Sequence, residues 1–117
     1  MTLAGAIEIL KAESVVAAEH PVAPLTGCFA ADLMSDVLAV ARPGSLLITG
    51  LSSDQTIRTA AVKQLAAVVV VEGKHPGSDM VESAREHEMP LYRTPLSKFE
   101  ACGLLMAAGL RPYRKGL

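Results

Sequence analysis

Residues that could bind an anion follow three apolar segments of the sequence. Residues 49–53, 72–78 and 93–95 each separate an apolar run from a helical pattern. Because the carboxyl ends of parallel strands meet at one edge of an open sheet, these loops are expected to converge there. Each leads into a helix, whose first N–H groups and dipole favour negative charge. The candidate ligand-binding residues are Thr49, Gly50, Ser52, Ser53, Asp54, Gly73, Lys74, Arg93 and Thr94.

Ordinary helix capping is the alternative explanation for these polar loops. Ser52 and Gln55 have the spacing of a capping box, in which a hydroxyl stands three residues before a Gln or Glu. Thr94 could cap the last helix, with Pro95 at the first helical position. The sequence leaves both interpretations of the loops open.

The acidic and thiol side chains also have two interpretations. Asp32 and Asp54 each fall early in a predicted helix, where a carboxylate interacts favourably with the N-terminus. Cys28 follows Gly27 and could lie near a helix N-terminus, which would lower its thiol pKa. A nucleophile also needs a base, and none is identifiable, so Cys28 and Cys102 are expected to be small apolar-like side chains.

Motifs for metal or nucleotide chemistry are missing from the sequence. His20, His75 and His87 stand on separate segments, and Glu72 precedes His75 within a loop rather than on a helix face. This spacing predicts no metal site. Neither a P-loop nor a Gly-x-Gly-x-x-Gly signature follows a strand, so no cofactor is expected.

Length and composition bound the class of protein. The 117 residues suit one domain, and the core must be aliphatic because only 3% of residues are aromatic. The net charge of -1 predicts no nucleic-acid partner, and the basic residues 111–115 are expected to form a solvated tail. The sequence shows no secretion signal or membrane span, so a cytoplasmic location with free thiols is expected.

Hydrophobic periodicity predicts an α/β fold with a single-layer, mostly parallel sheet of four to five strands, flanked by helices on both faces. In the helix predicted at 30–41, the inward face is expected to hold Leu33, Val37, Val40 and Ala41, preceded by Phe29. The predicted helices cover residues 3–11, 30–41, 53–65, 79–88 and 95–108. The predicted strands cover 14–18, 46–49, 67–71 and 91–93, with 26–29 as a further strand or a cover for the sheet edge.

The segment Gly27-Cys28-Phe29-Ala30-Ala31-Asp32-Leu33-Met34-Ser35 resembles the Gly-x-x-x-x-Asp-Leu-Leu/Met-Ser segment of small stand-alone DRTGG-domain proteins. The strand at 46–49, the run at 67–73, Met89-Pro90-Leu91 and Thr94-x-x-Ser97 continue the resemblance over residues 3–108. The sequence departs from the family's name motif, since Gly50-Leu51-Ser52-Ser53-Asp54-Gln55-Thr56 stands at the matching place.

The resemblance implies a fold similar to the N-terminal domain of HPr kinase/phosphorylase. It also implies a non-catalytic regulatory or ligand-sensing module that self-associates, and apolar residues 104–106 could form a subunit contact. Kinase activity is not implied, because the P-loop is missing. One alternative is a small enzyme acting on a phosphorylated or acyl substrate through Asp54, Lys74, His75 or Cys28. The other is a protein-interaction subunit without a small ligand.

Overall fold

The valine-rich and leucine-rich segments lie at the centre of a five-stranded sheet in residues 1–112, the part of the chain that the computed structural model describes. The strands are β1 (Glu13–Val16), β2 (Cys28–Ala30), β3 (Leu46–Thr49), β4 (Ala67–Val70) and β5 (Leu91–Arg93). Every residue of β3 and β4 is buried, as expected of parallel strands covered on both faces.

The strand order is β1-β5-β4-β3-β2, and the four strands β2 to β5 run parallel. β1 lies at one edge, antiparallel to β5, with an irregular register between Ser14 and Val16. The mostly parallel sheet predicted from the sequence is therefore confirmed. The segment at 28–30 is a true edge strand, and the carboxyl ends of β2 to β5 share one edge.

Helices cover both faces of the sheet, as predicted. They are α1 (Leu3–Ile9), α2 (Met34–Val40), α3 (Asp54–Val62), α4 (Ser78–Glu86) and α5 (Lys98–Ala107). The crossovers through α2, α3 and α4 step across the sheet in one direction, so these helices share a face and pack on Leu47, Val68 and Val70. α1 and α5 pack on the other face, against Leu46, Ile48 and Val69.

The prediction of a helix over 30–41 was wrong at its beginning. α2 starts at Met34, because residues 28–30 pair with β3 as a strand. Leu33 and Val40 are exposed rather than inward, and the helix buries Met34 and Val37. Asp32 therefore precedes the helix instead of lying in its first turn.

For three helices the predicted end lies two or three residues beyond the observed one, because no glycine marks the end in the sequence. α1, α3 and α4 are followed by Lys11, Gln64 and Glu88, which adopt left-handed backbone with φ of 52°, 56° and 52°. The next amides reach back five residues, as in Leu65 N–H to Ala60 O at 3.0 Å. This backbone arrangement is the Schellman motif. Among helix ends of this kind, only that of α5 has a glycine, Gly109, at the left-handed position.

The chain leaves α5 along the free edge of β2. Cys28 donates its N–H to Arg111 O at 3.1 Å, and Pro112 forms a parallel bridge with Cys28. The remainder of the predicted basic tail, residues 113–117, lies outside the described residues. Within residues 1–112, no helix combines the length and the apolar character that crossing a bilayer requires.

Candidate ligand-binding site

A carboxylate and two lysines meet around the end of β3. Asp32 Oδ1 accepts the Gly50 N–H at 2.7 Å and the Thr49 hydroxyl at 3.2 Å. Asp32 Oδ2 accepts from Lys98 Nζ at 2.7 Å, and Lys74 Nζ donates to Gly50 O at 2.9 Å. These five residues, Asp32, Thr49, Gly50, Lys74 and Lys98, are called the Asp32 cluster below.

Strand register brings the cluster together. Ala30 of β2 pairs with Ile48 of β3. Asp32 and Gly50 each follow these residues by two positions, so they lie side by side. Lys74 lies in the loop after β4, and Lys98 is the first residue of α5. Four separate segments thus meet at the carboxyl edge, where open α/β sheets bind ligands.

Gly50 lies where there is little room for a side chain. A Cβ atom added at Gly50 would lie 3.3 Å from Lys74 Nζ and 3.4 Å from each Asp32 carboxylate oxygen. The first distance is tighter than most Cβ contacts, and the other two are at the limit of ordinary van der Waals contact. A side chain at position 50 would therefore require the Lys74 ammonium to move by a few tenths of an ångström.

Asp32 is charged at neutral pH. The hydrogen bond from Lys98 is the largest of several effects that lower the pKa of this carboxyl from its ordinary value of 3.8, and the Gly50 N–H acts in the same direction. The side chain is nevertheless 52% exposed, and that of Lys98 is 35% exposed. Both groups can therefore still contact a molecule in solvent.

The loops after β4 and β5 are joined to each other by hydrogen bonds to their backbone groups. Gly73 has a left-handed φ of 66°, and its N–H bonds to Thr94 O at 2.8 Å. Arg93 donates to Gly73 O at 2.9 Å, to Lys74 O at 3.3 Å and to the Glu13 carboxylate at 2.9 Å. Arg93 thus fixes the loop that carries Lys74.

Thr94 does not cap the last helix, contrary to the prediction. Its buried hydroxyl donates to Leu10 O at 2.6 Å, which ties β5 to the end of α1. α5 begins three residues later than predicted, and its true capping box is formed by Ser97 and Glu100. The pKa of Glu100 is lowered by the Ser97 backbone N–H that its carboxylate accepts.

The remaining predicted residues line a different cleft, called here the α3–α4 cleft, of about 280 Å³. It is formed by residues 52–54 and 77–80 at the beginnings of the two helices. Ser52 contacts Met80 Sδ at 3.7 Å, and the predicted capping box with Gln55 does not form, because Ser53 is the N-cap residue. Among the described residues, Ser53 Oγ is buried without a hydrogen-bond partner.

Asp54 occupies the first turn of α3, as predicted, and pairs with Arg58 at 3.6 Å. Both side chains are about half exposed. Asp79 lies at the equivalent place in α4, so both helix N-termini in the α3–α4 cleft already carry a carboxylate.

The two cysteines line an apolar cleft of about 300 Å³ between β2 and α5. Burial raises the pKa of Cys28 to about 12, with a smaller contribution from neighbouring Cys102, so its thiol is protonated. Burial also raises the pKa of Cys102. These findings agree with the prediction that the cysteines are small apolar-like side chains, and not with the alternative of a thiol activated by a helix N-terminus.

One group of side chains has the proximity that metal binding requires, although sequence spacing did not indicate it. Glu19, His20 and Glu88 lie close together on the exposed surface, with His20 Nε2 3.2 Å from a Glu88 oxygen. Exposed acidic groups of this kind are common without a metal ion, and none of the three residues belongs to the Asp32 cluster.

Sequence reasoning missed Lys98 and interpreted Asp32 only as a helix-terminal acid. The most specific part of the family resemblance, the Asp-Leu-Met-Ser segment, contains Asp32 and could have pointed to it. Lys98 is 66 residues from Asp32, so no local pattern links the two side chains.

The DRTGG-domain family model matches residues 6–108. Among solved structures, the fold is similar to the CBS and DRTGG domains of the regulatory region of Clostridium perfringens pyrophosphatase, solved with the activator diadenosine tetraphosphate. The TM-score is 0.74 at 18% sequence identity, over 89% of this chain and 45% of that chain. A comparison with curated proteins produced no significant match.

Proposed function

The chain belongs to the DRTGG-domain family, and we propose that it is a non-catalytic, ligand-sensing regulatory domain. In this proposal a small anionic ligand binds at the carboxyl ends of β2 to β5, beside the Asp32 cluster. The observation that carries the proposal is the convergence of Lys74 and Lys98 on the end of β3, each held by a hydrogen bond. Ammonium groups held in place lose less entropy when they bind an anion.

Likeness to the pyrophosphatase regulatory region supports a regulatory function. This chain spans 45% of that structure, which also contains CBS domains. The activator in that structure carries a tetraphosphate group. A polyphosphate is the kind of anion that the exposed Lys74 and the partly exposed Lys98 would attract.

Calorimetric titration of the full chain with inorganic tripolyphosphate tests the proposal. Replacing Lys74 or Lys98 with Ala is expected to weaken binding at least about tenfold, because each substitution removes a charge-assisted hydrogen bond. Arg58→Ala is the matched control, since it removes an exposed cation beside the α3–α4 cleft. Equal loss in all three variants, or no binding by the unaltered chain, would contradict the proposal.

The state of the candidate catalytic residues supports binding rather than catalysis. The Cys28 thiol is protonated, and a nucleophile must be a thiolate. Asp54 lies with Arg58 outside the Asp32 cluster. His75 Nε2 lies 3.3 Å from the Arg93 guanidinium and contacts neither cysteine nor Asp54 among the described hydrogen bonds.

We also propose that the chain self-associates through α5. Phe99 is 89% exposed and Met106 59% exposed, while Leu105 of the predicted contact is buried in the core. Gly103 lies between Phe99 and Met106 along α5, with open space at its Cβ position. This space allows a second helix to approach closely. Exposed apolar groups of this size favour association.

Sedimentation equilibrium of the unaltered chain and of the Phe99→Glu/Met106→Glu variant tests the self-association. The unaltered chain is expected to form a dimer or larger assembly and the variant a monomer. A strict monomer at high concentration in the unaltered chain would contradict this part of the proposal.

A further inference from the structure

The Asp32 carboxylate places a negative charge in the middle of the proposed anion site. Lys98 bonds to the Asp32 carboxylate and Lys74 to Gly50 O, and both ammonium groups can donate further hydrogen bonds. The phosphate of a ligand next to these lysines would also approach Asp32, which repels it. A ligand that carries a hydrogen-bond donor for Asp32 beside its phosphate should therefore bind more tightly than phosphate alone.

The carboxylate retains capacity to accept a hydrogen bond. Its two oxygens offer about four acceptor positions. Three are used by the Gly50 N–H, the Thr49 hydroxyl and Lys98 Nζ. Oδ2 accepts only the Lys98 bond among the described contacts, and half of the side chain faces solvent. The open position can be filled only by a donor, because an ionised carboxylate has no proton to give.

The surrounding charges decide which donor fits. Arg93 is paired with Glu13 and Lys98 with Asp32, so an amine on the ligand would compete with Lys98 for Asp32 and would be repelled by Lys74. A hydroxyl donates to a carboxylate without that repulsion. A short molecule bearing hydroxyls at one end and phosphate at the other would satisfy Asp32 and the lysines together.

We infer that the ligand is a phosphorylated sugar, free or as part of a nucleotide, and that Asp32 binds its hydroxyls while Lys74 and Lys98 bind its phosphate. The inference rests on the proposed anion site and names the ligand class for it. Asp32 is then the residue that distinguishes such ligands from inorganic polyphosphate. An acidic side chain near a strand end binds ribose hydroxyls in other open α/β sheets, which shows that the chemistry is sound.

The test compares four probes in calorimetric titrations of the full chain: adenosine triphosphate, dideoxyadenosine triphosphate, ribose phosphate and inorganic tripolyphosphate. Removing both ribose hydroxyls from the nucleotide is expected to weaken binding at least about tenfold, since a hydrogen bond to a charged group is lost. Tight binding of ribose phosphate identifies a free sugar phosphate as the ligand. Weak binding by ribose phosphate with a retained hydroxyl effect identifies a nucleotide. Either result supports the inference.

Asp32→Asn is expected to bring the nucleotide and its dideoxy analogue within about twofold of each other and to strengthen tripolyphosphate binding, because a negative charge is removed. Thermal melting checks that this variant folds, and the comparison of probes on the unaltered chain does not depend on it. If the nucleotide, its dideoxy analogue and tripolyphosphate bind the unaltered chain equally well, the inference is overturned while the anion site stands. If no probe binds, the proposed function itself fails.

Discussion

The Asp32 cluster and the α3–α4 cleft lie at the same edge of the sheet but differ in charge and in hydrogen bonding. The cleft has two helix N-termini without side-chain caps, and the first turns of these helices carry Asp54 and Asp79. The cluster has two lysines, of which Lys74 donates to Gly50 O after β3 and Lys98 donates to the Asp32 carboxylate. Under the proposed function, the fixed charges at the sheet edge, rather than helix N-termini alone, determine where an anion binds.

The two regions also differ in how firmly they are held. In the cluster, Asp32 links β2, β3 and α5 through three hydrogen bonds. In the cleft, the Ser53 hydroxyl is buried without a partner among the described residues. Substitutions should therefore affect stability strongly in the first region and weakly in the second, and the following four predictions test that difference.

Asp32→Ala is expected to reduce the free energy of unfolding by about 1–2 kcal/mol, because the buried Gly50 N–H loses its acceptor. Asp54→Ala is the matched control, and loss of its exposed pair with Arg58 should cost less than about 0.5 kcal/mol. Urea unfolding measures both values. Equal losses would show that the Asp32 cluster is no more important to folding than a surface ion pair.

Gly50→Ala is expected to destabilise the protein by about 1 kcal/mol, because its Cβ would crowd Lys74 Nζ and the Asp32 carboxylate. Gly77→Ala, in the α3–α4 cleft, meets no atom within 4 Å, and replacing glycine by alanine at this N-cap position should cost only about 0.5 kcal/mol. Thermal melting of the two variants provides the comparison. A larger loss in Gly77→Ala would contradict the assignment of close approach to Gly50.

The contribution of Asp32 to stability should depend on pH. Its folded pKa lies below the ordinary value of 3.8, so the carboxylate stabilises the fold above that pH. The contribution is lost as the pH falls through the folded pKa. The stability difference between the unaltered chain and Asp32→Asn should therefore be largest near neutral pH and shrink toward about pH 3. A difference that stays constant over this range would rule out the ionised carboxylate as its source.

Ser53→Ala should have the smallest effect. The hydroxyl is buried without a partner among residues 1–112, so removing it is expected to leave stability within about 0.5 kcal/mol or raise it slightly. Thr49→Val removes a hydroxyl that bonds to both Asp32 and the Leu51 N–H, and should cost about 1 kcal/mol. Chemical unfolding curves of both variants would reveal a reversed order if the two regions were misjudged.

The parts of the fold that the sequence predicted well are those with strong local patterns. The apolar runs at 46–49, 67–71 and 91–93 became β3, β4 and β5 with at most one residue of difference. Helix ends were predicted poorly wherever a residue other than glycine adopts left-handed backbone, as at Gln64. The beginning of α2 was misplaced because strand pairing and the bond to Gly50 hold residues 28–32 out of the helix.

The candidate site was predicted only in part, because its main contacts are distant in sequence. Thr49, Gly50 and Lys74 were found from their place after strands, and they do lie together. The capping-box pattern at Ser52 was misleading, whereas the same pattern at Ser97 forms the real box. No local rule distinguishes these two, since the tertiary contacts of each loop decide which hydroxyl is free to cap.

An amide-resolved NMR titration with inorganic tripolyphosphate tests the central claim most directly, because it reports both regions in one experiment. The account predicts shift changes at Asp32, Gly50, Lys74 and Lys98, with little change at residues 52–54 and 77–80. Changes concentrated at the beginnings of α3 and α4, with the Asp32 cluster unmoved, would contradict it.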